Sequence, residues 1–237
     1  MPALPFLPVL LQNEYVNPKT LFALLALLLA PGIASGQSFA DSLAKSLTVH
    51  GPFDPTTYKP LSGSERWQRW VNSDGRSVSM HADAFASAAY SQVFNSPAEW
   101  GRTPRGFGRR LGSDYASEII QNSVHDSMAA VAGTDTRYFA CDCTGLFPRT
   151  GHALKMTLLT YTSSGHLTVD IPQLSGAYGS SMIEKMWYPP HYSPLVQGVQ
   201  SGHIEVGIIG GEHLVQEFSP ELKRIFHLRF LIHSATP

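Results

Sequence analysis

The 237 residues carry a net charge of −1, and no basic block is longer than Arg109-Arg110 or Lys223-Arg224. That balance excludes a polyanion-binding surface, so nucleic acid is not an expected partner. Charged residues are 15% of the chain, against about 25% in ordinary soluble domains, which predicts surface covered by membrane lipid or by another copy in a homo-oligomer.

The first legible element is the apolar run Leu21 to Ala30, ended by Pro31-Gly32 and followed by Ala34-Ser35-Gly36. It reads as a signal peptide over residues 1–36 with a small-residue cleavage site. A run this short falls below the roughly 20 residues that span a bilayer, so cleavage is expected rather than anchoring. Met1 to Glu14 holds Pro2, Pro5 and Pro8 and no basic residue, so residues 1–15 read as untranslated sequence ahead of a start at Val16. Export to the periplasm, or to a membrane-associated place at the bacterial envelope, follows. What remains suffices for one domain.

Residues 37–60 mix Ser, Thr, Pro and Gly with few periodic apolar positions and read as a flexible arm. Residues 61–230 read as a helical domain and 231–237 as a tail. Ser62 and Glu65 have capping-box spacing ahead of Trp67, Trp70 and Val71, which predicts a short helix. An alanine-rich helix follows from Val78 to Phe94. Ser96, Pro97 and Glu99 predict a second helix start, interrupted at Pro104, and a long amphipathic helix continues to a stop at Gly133. Thr134 to Pro148 reads as a loop, Gly151 to Thr162 as a helix, and His166 to Ile171 as a short extended piece. Helices are expected again from Leu174 to Trp187, from Ser193-Pro194 to Phe218, and briefly after Ser219-Pro220.

The sum is an all-α fold, a single helical bundle. Small residues recur at Gly108, Gly112 and Ala116, at Gly176 and Ser180, at Gly198 and Gly202, and at Gly207 and Gly211. This spacing suits helices that approach backbone to backbone, in lipid or in a water-soluble bundle. On the last long helix Ser201, Glu205, Glu212 and Gln216 share a stripe, while Val196, Ile204, Gly207 and Leu214 lie away from it. The polar side is expected to be wet and the other side packed.

The densest polar constellation is Asp135, Arg137, Tyr138, Arg149, His152 and Lys155, around Cys141 and Cys143. Asp135, Arg137 and His152 are the candidates for acid/base work, set against a reading in which Asp135 caps a turn or pairs with Arg137. Cys141 and Cys143 read as a disulfide or as two free thiols. A metal with His152 as third ligand lacks the usual four, and His213 with Glu217 offers only half a site, so no metal is assigned. No GxSxG, Walker or dinucleotide fingerprint occurs, and composition names neither a cofactor nor a small-molecule ligand.

Two resemblances stand beside this reading. Ser163-Ser164-Gly165-His166 resembles the Ser-Gly-His element of membrane-bound lipid phosphatases, although that family's other elements have no counterpart and the tripeptide recurs at Ser201-Gly202-His203. Asn95-Ser96-Pro97-Ala98-Glu99-Trp100-Gly101, Gly106-Phe107-Gly108-Arg109-Arg110, Arg137-Tyr138-Phe139, Arg149 with His152-Ala153, Gly176-Ala177-Tyr178-Gly179 and Trp187-Tyr188-Pro189-Pro190 together resemble a group of uncharacterised exported bacterial envelope proteins. That second resemblance implies architecture and carries no activity. The expected function is that of an exported envelope protein of structural or lipid-associated type. The alternative is an envelope enzyme, of hydrolase type, built on Asp135, Arg137 and His152.

Overall fold

The computed structural model describes residues 50–74, 78–222 and 224. The chain divides into compact units at 1–39 and 40–237. The leader over 1–36, the start at Val16, the first part of the arm and the tail at 231–237 all lie outside the described residues.

The described fold is mostly helical, with one two-stranded hairpin. Helix α1 spans Gly63–Asp74 and α2 spans Val78–Val93. At the start of α1 the capping box closes: the Ser62 N–H donates to Glu65 at 2.8 Å and the Glu65 N–H to the Ser62 hydroxyl at 3.4 Å. Ser96-Pro97, joined by a cis peptide bond, opens only a 3-10 turn over Ala98–Trp100. The long helix α3, Pro104–Ala132, starts afresh with Thr103 as its cap and Pro104 as its first residue, and ends at Gly133 in the left-handed region. Pro104 therefore begins a helix rather than interrupting one, because its missing N–H costs nothing in a first turn.

Helix α4 covers Leu146–Met156, earlier than the sequence predicts. Strands β1, Leu159–Tyr161, and β2, Leu167–Val169, then pair antiparallel with Thr160 opposite Thr168. Leu159 to Tyr161 is thus strand and not the end of a helix. Ser163 to His166 forms the hairpin turn, with Gly165 at φ 81°, so this Ser-Gly-His element is a turn. Helix α5, Ile171–Glu184, is capped by Asp170, which accepts from the Gln173 N–H at 2.9 Å. Helix α6 runs over Val196–Glu217. Helix α3 packs against α2 and α5, and α6 packs against α5 and α4.

The glycines divide into two sets. Gly176 lies against the Gln121 carbonyl of α3, Gly198 against the Met182 backbone of α5, and Gly202 against the Tyr178 ring. Ser180 is buried in the same α5 interface and Ala116 is partly buried. Gly108, Gly112, Gly207 and Gly211, expected at helix interfaces, have no described neighbour within 4 Å of where a Cβ would stand. Spacing reveals smallness every turn, but tertiary packing decides which turn meets a neighbour.

The arm is also different from its expectation over its described part. His50 bridges to Phe139, Phe53 stacks on Tyr161 with centroids 3.7 Å apart, and the Tyr58 hydroxyl donates to Asp135 at 2.9 Å. Residues 50–60 form a fastened strap.

Candidate functional site

Glu217, the last residue of α6, is the best-buried carboxylate of the described fold, at 1% exposure. It accepts from the Tyr138 hydroxyl at 2.6 Å and from the Cys141 backbone N–H at 3.2 Å to each oxygen. Arg149 Nε donates to it at 3.3 Å, and a second Arg149 nitrogen donates to the Glu217 backbone carbonyl. Three donors from two segments reach this carboxylate and compensate its burial, as a buried charge requires. Tyr138 is pushed above the usual phenol range by burial and by its bond to Glu217.

Sequence and local structure explain the convergence. Residues 134–141 run extended, so successive side chains point to opposite sides: Asp135, Arg137 and Phe139 meet the strap, and Tyr138 meets α4 and α6. Arg149 and His152 stand three apart on α4 and share the face turned to α6. His152 Nδ1 lies 3.4 Å from Glu217 Oε2 and 3.4 Å from the Tyr138 hydroxyl. Cys141 and Cys143 are joined as a disulfide at the edge of this nest. A cavity of about 500 Å³ opens beside it, lined among others by His50, Cys141, Cys143, Arg149, Glu217 and Glu221. Ligand atoms of Cys141, His152 and Glu217 all lie within 4.8 Å of one another, the one such metal-capable group among the described residues.

The three sequence candidates do not form one site. Asp135 is 2% exposed and accepts from Arg137 through its N–H at 2.9 Å, Nε at 2.9 Å and a terminal nitrogen at 2.6 Å, besides Tyr58. Burial opposes ionisation there, but Arg137 and Tyr58 outweigh it and hold the carboxyl below the usual range. Arg137 also donates to the Lys59 carbonyl at 2.7 Å. This pair fastens the strap, whereas His152 faces Glu217. His213, paired with Glu217 in the sequence, instead stacks on Tyr138 at 4.6 Å and approaches Thr157 at 3.5 Å.

Arg110 is buried at 1% exposure, and its donors go mostly to carbonyls. It donates to Ser96 O at 2.8 Å, Gly101 O at 2.7 Å, Pro97 O at 2.8 Å, Gln92 Oε1 at 2.5 Å and Asn95 Oδ1 at 3.4 Å. Gly106 lets the same loop close over α3, since a Cβ there would stand 2.3 Å from Trp100 O. Two of the quoted motifs, Asn95 to Gly101 and Gly106 to Arg110, are therefore two halves of one clamp. Sequence reading missed Arg110, because an arginine satisfied by carbonyls has no acidic partner to betray it.

A second buried network joins α3 to α5. Glu184 accepts from Ser113 at 3.1 Å, Lys185 at 2.6 Å and Tyr188 at 2.9 Å, and the Trp187 indole donates to Ser113 at 2.9 Å. Beside it, Asp114 is pushed up to about 7 by burial and then by the negative charge of Glu184.

The outer surface has the opposite character. On α4, Arg149 and His152 turn inward while Leu146, Phe147 and Leu154 are exposed. On α5, Ser180, Ser181 and Glu184 are buried while Ile171 and Ile183 are exposed. On α6, Glu205 bonds Gln121 of α3 at 3.0 Å, while Val196, Ile204, Ile208 and Val215 are 55%, 65%, 50% and 43% exposed. The expected wet stripe of α6 is thus inverted: Glu205 faces a neighbour, Val196, Ile204 and Gly207 face outward, and of the polar set only Glu212 is exposed. The buried apolar residues are mainly alanines, with Met80, Phe139, Met156 and Ile209. No helix among the described residues is long and apolar enough to cross a membrane.

No family model, curated protein or solved structure matches this chain.

Proposed function

We propose that this protein is an exported component of the bacterial envelope that lies against a lipid surface, its polar networks turned inward and its apolar side chains turned to the acyl boundary. The observation that carries this reading is that α4, α5 and α6 turn Arg149, Ser180, Ser181, Glu184 and Glu217 inward while Phe147, Leu154, Ile171, Ile183, Ile204 and Ile208 stay exposed, in company with Lys155, His203 and Glu212. In water alone such an arrangement forgoes burial of its largest apolar groups, and exposed apolar patches of this kind mark a surface that is covered. Lipid is the occupant favoured by chemistry, because small-residue contacts and satisfied polar networks are how helices associate where apolar burial gives no drive. The low charge content and the leader read from the sequence support the same placement, and the motif resemblance to exported envelope proteins agrees with it.

An enzyme built on Asp135, Arg137 and His152 has less support, since Asp135 and Arg137 are spent on the strap and His152 on Glu217. Fractionation of the native host with a carbonate wash of the membrane pellet tests the proposal. Retention in the pellet after the wash is expected, and full release into the wash would remove the claim.

A further inference from the structure

We infer that Cys141, His152 and Glu217 form a metal site that opens when the Cys141–Cys143 disulfide is reduced, with a thiophilic divalent cation of the zinc class as its ligand. The three ligand atoms come from three separate segments and lie within 4.8 Å of one another. Two ligands at about 2.0–2.1 Å from a tetrahedral zinc stand roughly 3.3–3.4 Å apart, and His152 Nδ1 lies 3.4 Å from Glu217 Oε2. That separation is long for a charge-assisted hydrogen bond, which runs at about 2.7–2.9 Å, so this pair is spaced for a shared cation better than for a shared proton. The thiolate needs a bond of about 2.3 Å, which a rotation of the Cys141 side chain within the loop can supply.

The surroundings fit a metal ligand set as well. The Tyr138 hydroxyl at 2.6 Å and the Cys141 N–H at 3.2 Å orient the Glu217 carboxylate, and the same hydroxyl lies 3.4 Å from His152 Nδ1. The adjoining cavity of about 500 Å³ gives solvent a route to the fourth coordination position. Arg149 is the opposing charge, and it has a second partner in Glu221 at 2.5 Å to turn to when a cation neutralises Glu217.

The chemistry balances with a dithiol as reductant. Its two thiols transfer two electrons and two protons to the disulfide, leaving Cys141 and Cys143 as thiols and the reductant as its own disulfide. The Cys141 thiol then gives up its proton as its sulfur binds the cation. In the oxidised protein Cys141 Sγ is bonded to Cys143 and the site is closed. An exported protein with such a pair would bind metal according to the redox state of its compartment.

The test uses the metal-free full chain, titrated with Co²⁺ alone in the oxidised form and after reduction by a dithiol that is then removed. One equivalent bound on reduction, with a thiolate-to-cobalt charge-transfer band, and none bound when oxidised, is the expected result. Cys143→Ser leaves Cys141 unpaired and should bind without reductant. His152→Ala and Glu217→Gln should each lower affinity by more than about 10-fold, since losing even an outer-shell partner of a ligand costs about 10–100-fold. Should Glu217→Gln unfold, His152→Ala alone decides, because His152 is partly exposed and its removal leaves the Tyr138–Glu217 bond in place. Absence of the band in both reduced wild type and Cys143→Ser overturns the inference. So does binding that survives His152→Ala unchanged, or that needs Cys143.

Discussion

Gly198→Ala and Gly207→Ala form a matched pair on α6 that separates helix propensity from helix contact. Both substitutions gain up to about 1 kcal/mol by removing a glycine from a helix interior. At Gly207 nothing lies within 4 Å of the new Cβ, so that gain should appear as added stability. At Gly198 the Cβ would stand 2.7 Å from Met182 Cα, 2.9 Å from Met182 Cγ and 3.2 Å from Met182 N. Two of those three atoms are backbone and cannot rotate away, so α5 and α6 must separate, a distortion of the kind that costs about 1–3 kcal/mol. The difference between the two variants cancels propensity and reports the clash alone. For a chain of this size it corresponds to a gap of roughly 2–12 °C in Tm, with Gly198→Ala the lower. Urea unfolding followed by circular dichroism, on protein beginning at Gln37, measures it. Equal shifts of both variants in the same direction would refute backbone contact between α5 and α6 at Gly198.

Arg110→Lys should destabilise by about 2–6 kcal/mol, because an ammonium has three donors for five acceptors and each of the two buried acceptors left bare costs about 1–3 kcal/mol. A shift below about 1 kcal/mol in urea titration would mean that the clamp is not structural. Stability should fall as pH rises from 6.5 to 8. Glu118 is pushed up to about 8 by burial and then by Asp83, Glu205 and other carboxylates, and Asp114 to about 7, so the folded state holds protons that the unfolded state has released. His125 and His213, lowered to about 4 by burial, act in the opposite sense but only below pH 6.5. Glu118→Gln should flatten the fall, and an unchanged slope in urea midpoints would exclude Glu118 as its source. Asp135→Asn should loosen the strap and speed proteolytic cutting ahead of residue 60, while equal cutting rates would show that the strap is held by its aromatic contacts alone.

The parts of the fold written in local chemistry were legible. Ser62 with Glu65 and Gly133 as a left-handed stop each act within a turn or two of chain, so spacing reveals them, whereas the apolar side expected of α3 is not its packed side: Val131 is exposed and Arg110 is buried. Proline was ambiguous because one ring both ends a preceding helix and starts a following one. Pro104 and Pro172 both sit in the first turn of a helix, although spacing alone makes Pro104 an interruption. Periodicity defines the faces of α6 and says nothing of what covers them, so Val196 and Ile204, expected to be packed, are exposed. Cys141, His152 and Glu217 are far apart in sequence and meet only because α4 packs on α6, so no spacing rule reaches them.

Flotation with lipid vesicles tests the outward-turned apolar surface most directly. Val196, Ile204, Ile208 and Val215 are each about half exposed, and covering such a side chain recovers about 1 kcal/mol of the about 1.5–3 kcal/mol for full burial. Folded protein beginning at Gln37 should float with phosphatidylethanolamine and phosphatidylglycerol vesicles, insensitively to salt because the net charge is −1. Ile204→Ser with Ile208→Ser should lower partitioning roughly 30-fold, the equivalent of about 2 kcal/mol. Wild-type protein that stays at the bottom of the gradient while retaining its helical spectrum would contradict the account.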